Sequence, residues 1–263
     1  MDVTGLVLSI GERTTPRAVR SLKNQTLPCR EIVIVENVSP FYKAMNRGIR
    51  RVKTPFFLQC DADMVPDPDC IEVLRGCMDD DVGVVLGYLL DDLLGKIQAI
   101  KLFRTESVRQ VQFPNNISPD TECINQMAEK GWRFRFAKRS KAKHGHPPDI
   151  LGAHQPDYSR LYTFNKFCRL GSRMRYRGVF REFASTMQKL RASEHPMAPI
   201  ALIALSHGLF TKRRTDHLRP GGASKDYRIL EQYLRSHNQR NAQFAATASE
   251  ALPAKTLRSW NRA

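Results

Sequence analysis

The stretch Phe56-Phe57-Leu58-Gln59-Cys60-Asp61-Ala62-Asp63-Met64 constrains this chain more than any other. A mostly apolar run of strand length passes without a break into two aspartates at i and i+2. Pro66, Asp67 and Pro68 then end the strand and start a new element. Two earlier runs have the same character: Gly5 to Ile10, and Glu31 to Glu36. Continuous apolar runs of this length, bounded by polar or turn residues, are what strands buried on both faces require. Thr14-Thr15-Pro16 opens a helix carrying Ala18, Val19 and Leu22, which Leu27-Pro28 breaks. Pro40 opens a second, with Tyr42, Met45, Ile49 and Val52 on one side. Strand, helix, strand, helix, strand predicts an α/β fold with a right-handed, doubly wound, mostly parallel sheet. Asp61 and Asp63 then fall at the carboxyl end of a strand, the edge where open α/β sheets bind ligands.

Aspartates after a strand also make Asx turns or cap the next helix, and spacing alone leaves both roles open. Asp67 and Asp69, immediately before the apolar-periodic Ile71, Val73 and Leu74, are the better caps. That leaves Asp61 and Asp63 for a hard cation such as Mg²⁺ or Mn²⁺, which takes one or two carboxylates and completes its shell with water and phosphate. Further on, a helix is expected over 69–78, an apolar strand over Val82 to Leu90, and a hairpin return over Ile97 to Phe103. This second part reads as mixed rather than strictly parallel. Ser118-Pro119-Asp120-Thr121-Glu122 starts a helix that ends at Gly131, and Trp132 to Ala137 alternates as an exposed edge strand does.

Charge divides the chain. Of a net +16 over 263 residues, residues 1–100 carry −2 and residues 101–263 carry +18. A basic half fits phosphates, nucleic acid or an anionic membrane surface, and charge alone does not choose. Six cysteines show no CxxC pair or zinc-like spacing, so reduced thiols and a cytoplasmic setting are expected. Met1 runs straight into a strand, which argues against a signal peptide.

The ordered set Val7 to Ile10, Gln25, Ile32 to Glu36, Ala44-x-Asn46-x-Gly48, Phe56 to Met64 and Asp120 to Gly131 resembles the GT-A glycosyltransferases of the family 2 type over roughly the first 140 residues. The resemblance implies a nucleotide-sugar donor, a Mn²⁺ or Mg²⁺ cofactor, and a glycan or lipid-linked acceptor. It implies Asp63 as direct metal ligand, and Asp61 on the donor ribose or on the metal through water. Glu36 falls where such enzymes read the base, against the alternative of a solvated strand end. Asn46 belongs to the motif that lines the donor site. Asp120 falls on the position of the base for an inverting transfer, with Glu122 as rival and an N-cap as the alternative role. Two departures stand out. The segment between the second strand and the Asn46 helix is short, and the usual Glu-Asp pair opening the late helix is Pro119-Asp120.

GT-A enzymes often draw a further metal or phosphate ligand from a loop in the position of His144, His146 and His154. His154, in Gly152-Ala153-His154-Gln155-Pro156, is the first choice. Trp132 either floors an acceptor sugar or anchors the core. The expected division is a transferase domain over 1–156 and a basic amphipathic helical extension over 157–263. In the extension, Leu161, Phe164, Phe167 and Cys168, then, beyond Gly171, Val179, Phe180, Phe183, Met187 and Leu190 recur at helical spacing among arginines. Such helices pack on the catalytic domain or meet anionic membrane. Pro196 to Phe210 is apolar but short of the ~20 residues that cross a bilayer, so it reads as a buried or interfacial helix. Two other functions compete: a nucleic-acid-binding protein on an α/β scaffold, and a sugar-nucleotide sensor without turnover. The first lacks any zinc-finger or RNP-like run, and its acidic crevice repels phosphate backbones unless a metal fills it, so nucleic acid is not the expected partner.

Overall fold

The computed structural model describes residues 2–210. Lys212-Arg213-Arg214, the short helix expected through Leu230 and Leu234, and the polar tail lie outside the described residues. Three parallel strands form first: β1 (Val3–Ser9), β2 (Glu31–Glu36) and β3 (Phe56–Asp61), with α1 (Thr15–Lys23) and α2 (Phe41–Arg51) between them. The run Phe56 to Met64 splits at Asp61. Met64–Pro66 is a separate short strand, β4, and α3 (Cys70–Arg75) follows. A long hairpin, β5 (Val82–Asp91) and β6 (Gly95–Arg104), lays β6 antiparallel against β3. Two helices, α4 (Thr105–Arg109) and α5 (Pro119–Glu129), precede β7 (Arg133–Phe136) and β8 (Ile150–His154).

The sheet runs β2-β1-β3-β6-β5-β8-β4, with β7 also on β5. It is mostly parallel in its first half and mixed in its second, as expected. One edge of β5 is shared: Val82 to Leu86 pair with β7 and Tyr88 to Asp91 with β8, both parallel. β8 is the element least expected from sequence, because the stretch around Gly152 reads as a loop. Gly152, at φ +149, pairs with Pro66, and a Cβ there would overlap Val65 O, so only glycine lets β4 approach this closely.

Successive strand residues feed two cores on opposite faces. Leu58 and Cys60 join Ala18, Leu22, Ile71 and Leu74 on one side. Phe57 joins Met45, Ile49, Phe103, Phe113 and Met127 on the other. This period of two is the condition for a doubly wound sheet. Phe57 and Phe103 stack at 5.2 Å, and Phe113 meets Phe103 edge-on at 5.9 Å. All six cysteines are free.

Three helices follow the sheet: α6 (Arg160–Arg177), α7 (Phe180–Ala192) and α8 (Ala198–Phe210). α6 starts at Ser159, whose Oγ accepts from Tyr162 N, and ends at Gly178 in the left-handed region. It runs unbroken through Gly171. Gly171 has a packing role: a Cβ there would strike Leu205 O, and one on Gly208 would strike Cys168 O. These two helices therefore cross nearly backbone to backbone, and Ser172 Oγ donates to Gly208 O at 2.8 Å. Phe164, Phe167 and Cys168 are buried at the same face, while Tyr176 and Phe180 are exposed. No described helix is long and apolar enough to cross a membrane.

Candidate active site

β1, β2 and β3 end together, with Leu8 opposite Asp61 and Ser9 opposite Glu36. Ala62 N donates to Leu8 O at 3.0 Å, which turns the chain so that Asp63 follows Asp61 over the carboxyl edge of the sheet. The end of β8 reaches the same point: Met64 pairs with His154, Asp91 pairs with His154 across β5, and Gln155 N donates to Asp63 O at 2.7 Å. Backbone pairing thus delivers Asp63, Asp91 and His154 to one place.

Their side chains form a chain of short contacts. His154 Nδ1 lies 2.6 Å from Asp91 Oδ2, and His154 Nε2 lies 3.1 Å from Asp63 Oδ2. The same Asp91 oxygen accepts from Tyr158 OH at 2.6 Å and from Lys166 Nζ at 3.4 Å, while Oδ1 takes Leu93 N and Leu94 N at 2.9 and 2.7 Å. Tyr162 OH donates to Asp63 Oδ2 at 3.0 Å. Burial works against the charges of Asp63 and Asp91, but hydrogen bonds from His154 and the tyrosines, with the Lys166 charge, win. Both carboxyls therefore sit below the ordinary range. Burial would lower His154, but its two carboxylate partners outweigh it and raise it. Burial lowers Lys166 despite Asp91 and Asp63, and burial beside the same anions raises both phenols.

Asp61 has weaker support: its one side-chain hydrogen bond among the described residues is long, Gln59 Nε2 at 3.4 Å, and the Lys101 and His154 charges offset its burial only in part. Burial, reinforced by the Asp63 charge, pushes Asp61 up to about 6. A carboxyl destabilised in this way is what a cation would relieve. The donor set suits a hard or borderline divalent ion: carboxylate oxygen from Asp63, and an imidazole whose Nδ1 is held by Asp91 so that Nε2 faces Asp63. That is the carboxylate–histidine arrangement that orients metal-ligating imidazoles. Among the described residues no three such side chains form a ready-made cage. Ions that keep water and substrate phosphate in their shell do not need one.

Asp120 lies in the first turn of α5, and its Oδ2 is 3.4 Å from Lys101 Nζ. Lys101 is buried on β6 directly opposite Gln59 of β3, and its charge favours the ionised forms of both Asp61 and Asp120. Burial raises the Asp120 carboxyl, yet Lys101 and Arg173 outweigh it and hold it at about 2. Its other oxygen, Oδ1, is buried and makes no hydrogen bond of normal geometry. The rival Glu122, half-buried, is joined to none of these groups by a hydrogen bond or ion pair found among the described residues.

The remaining expected residues are placed as follows. Glu36 is exposed at the end of β2, on the same sheet edge. Asn46 has both ends of its amide engaged: Nδ2 donates to Phe113 O at 2.8 Å and Oδ1 accepts from Phe113 N at 2.9 Å. His144 and His146 are elsewhere, against Asp69 and Asp67. Those two aspartates were expected as helix caps, but neither oxygen pair caps α3. They are drawn instead to Arg139, a buried guanidinium whose charge needs anionic partners, at 2.8 Å from Asp67 and 2.6 Å from Asp69. Trp132 is half-buried against the core, with Nε1 donating to Gln110 Oε1 at 3.0 Å. The sequence reading missed Asp91, Tyr158, Tyr162, Lys166 and Lys101. The tyrosines and Lys166, each four residues apart, were the available signal, since that spacing lines one helical face.

No family model matches the sequence, and no curated protein matches it. Solved structures do. The mannosyltransferase PcManGT from Pyrobaculum calidifontis, in complex with GDP-Man and Mn²⁺, is similar with a TM-score of 0.51 at 14% identity, covering 100% of this chain and 88% of that one. S. aureus TarS 1–349 matches with a TM-score of 0.45 at 12% identity, covering 80% of this chain and 72% of that one. The protein has the GT-A glycosyltransferase fold.

Proposed function

We propose that the protein is a metal-dependent, inverting glycosyltransferase that moves a sugar from a nucleoside diphosphate donor to a hydroxyl-bearing glycan or lipid-linked acceptor. The observation that carries this reading is the convergence of Asp63 and an Asp91-oriented His154 beside the weakly supported Asp61, at the carboxyl edge of the sheet. The similar mannosyltransferase, which holds GDP-Man and Mn²⁺, supports the same choice of donor class. Asp63 and His154 would hold the cation, and a divalent ion there supplies Lewis-acid neutralisation of the charge that gathers on the departing diphosphate. Asp61 contacts the donor ribose or reaches the cation through water, and Glu36 reads the base from the end of β2. The acceptor oxygen attacks the anomeric carbon on the face opposite the diphosphate. As the new C–O bond forms, the old one breaks and its electron pair leaves with the diphosphate. Asp120 takes the hydroxyl proton, and Lys101 keeps that carboxylate ionised for the task.

Thermal denaturation with UDP, GDP and CDP, each with and without Mn²⁺, tests the donor side. One nucleotide should stabilise the protein only when the metal is present, and Asp63→Ala should abolish that dependence. A salt-sensitive shift with an oligonucleotide, indifferent to Asp63, would point to nucleic acid instead. A screen of nucleotide sugars for released nucleoside diphosphate then identifies the donor.

A further inference from the structure

Beyond Asp120 the crevice opens into a cavity of about 520 Å³ between β6, the start of α5, and helices α6 and α7. That volume is ample for a small polar ligand. Its charge is lopsided. Lys96 and Lys101 enter from β6, Arg173 and Arg177 from α6, and Arg181 and Lys189 from α7, against two acids, Asp120 and Glu182. Some of these cations are already engaged: Lys96 pairs with Asp149, Lys101 with Asp120, and Arg177 with Glu182 at 3.9 Å. Among the described residues Arg173 hydrogen-bonds only through Nε, to Ile117 O at 3.3 Å. Arg181 and Lys189, two turns apart on one face of α7, have no carboxylate partner among the described residues. Ser185, midway between them, adds a hydroxyl to the same face.

Nothing internal to the fold needs this excess. Arg177, Arg181 and Lys189 are exposed and Arg173 half-buried, yet these side chains from three elements line one concavity rather than separate faces. Among the described residues the lining also contains no Phe, Tyr or Trp, the flat apolar faces that hold neutral sugars. We infer that the acceptor carries a phosphate group: its hydroxyl meets Asp120 while its phosphate is held by the Arg181, Lys189 and Arg173 side chains. This rests on the glycosyl-transfer reading and adds the acceptor's chemical class to it. An anion lodged there also offsets the Lys101 and Arg173 charges that weaken Asp120 as a base, so binding the right acceptor strengthens the group that must take its proton. Arginine suits the purpose, because its planar fork matches phosphate oxygens two at a time.

The phosphate can belong to a free sugar phosphate or to a lipid headgroup, and two arms separate these sources. The full chain is loaded with Mn²⁺ and its stabilising nucleoside diphosphate, so that the donor site is filled, then titrated calorimetrically with glucose 6-phosphate and with glucose. In parallel it is floated with phosphatidylglycerol and with phosphatidylcholine vesicles. At least one phosphorylated probe should bind about tenfold or more tightly than its neutral counterpart. In the double variant Arg181→Glu, Lys189→Glu that preference should be lost, with Arg181→Gln, Lys189→Gln intermediate. Both residues are exposed where they line the cavity, so their replacement disturbs no core packing, and circular dichroism checks that each variant is folded. Binding through any other basic segment would survive the charge reversal. Equal binding of phosphorylated and neutral probes, no binding of either phosphorylated probe, or a preference untouched by the reversal overturns the inference. If the loading step fails because no nucleotide binds with Mn²⁺, the transferase reading itself falls and this one with it. If loading succeeds and phosphate selectivity is absent, only the acceptor class is wrong.

Discussion

Lys101 Nζ lies 3.4 Å from Asp120 Oδ2, and the lysine is nearly as buried as the strand that carries it. Asp120 is therefore ionised well below neutrality, at about 2. Its contribution to stability is fully present above the unfolded carboxylate value of about 3.9 and is lost as pH falls toward about 2. Lys101→Met keeps the length of the side chain and removes the charge. Leaving one partner of a buried pair uncompensated costs about 3–5 kcal/mol, so the melting temperature should fall by several degrees. The acid limb of the kcat/KM profile should move to higher pH as Asp120 returns toward an ordinary carboxyl. A profile that stays in place would remove Asp120 from the proton transfer.

Asp120→Asn separates binding from chemistry. The amide preserves shape but cannot take the proton, and loss of a positioned base lowers rates by about 10²–10⁴-fold. Nucleotide-induced stabilisation with Mn²⁺ should persist, because Asp120 is on α5 and the donor residues are on the strand ends. Transfer that survives at more than a tenth of the wild-type rate would pass the role to another group, Glu122 first.

Asp61 sets a pH dependence of opposite interest. Burial and the Asp63 charge push it up to about 6, so a proton competes with the cation in the mildly acidic range. Metal-dependent stabilisation by nucleotide should weaken as pH falls through about 6, since the proton-bound form no longer attracts the ion. Asp61→Asn should bind more weakly throughout and lose this step. An unchanged pH profile in Asp61→Asn would place the titration elsewhere.

Much of the architecture was legible because it rests on local rules. Apolar runs bounded by turn residues marked β1, β2, β3 and β5, and the alternation of strand and helix marked the parallel half. Asp61, Asp63 and Asp120 could be singled out because each follows a recognisable boundary. What the sequence hides is long-range. Asp91 reads as a turn residue, and only the register of β5 with β8 brings it to His154. Tyr162 and Lys166 look like part of a basic amphipathic helix until α6, with Tyr158 just before it, brings them onto Asp63 and Asp91. Asp67 and Asp69 look like caps because nothing near them in the chain announces Arg139, some seventy residues on. β8 was missed because Gly152 resembles a loop residue until its contact with Val65 is known.

Asp91 is the junction on which His154, Tyr158 and Lys166 all depend, so Asp91→Asn tests the whole assembly. The depressed Asp91 carboxyl contributes stability above the unfolded value of about 3.9, and that contribution fades as pH falls toward its folded value. The raised His154 contributes below the unfolded imidazole value of about 6.5, and that contribution is lost as pH rises through its folded value. Together they give greatest stability in the mildly acidic range. Asp91→Asn should lower stability by about 3–5 kcal/mol and flatten the dependence on both sides. A denaturant midpoint followed from pH 4 to pH 9 reads this directly, and parallel curves for the two proteins would contradict it.

Gly152→Ala couples the fold to the site. At φ +149 with Val65 O in the way, a Cβ forces β8 off β4, and His154, two residues on, moves with it. Gly131 provides the comparison: its φ is +90, and a Cβ there meets nothing within 4 Å. Gly131→Ala should therefore cost only the backbone strain of the left-handed region, about 1–2 kcal/mol, with Mn²⁺-dependent nucleotide binding intact. Gly152→Ala should cost more and weaken that binding as well, because the strand pairing it breaks is what carries His154 to Asp63. If both variants lose the same stability and keep the same binding, the register of β4 with β8 is not what positions the imidazole.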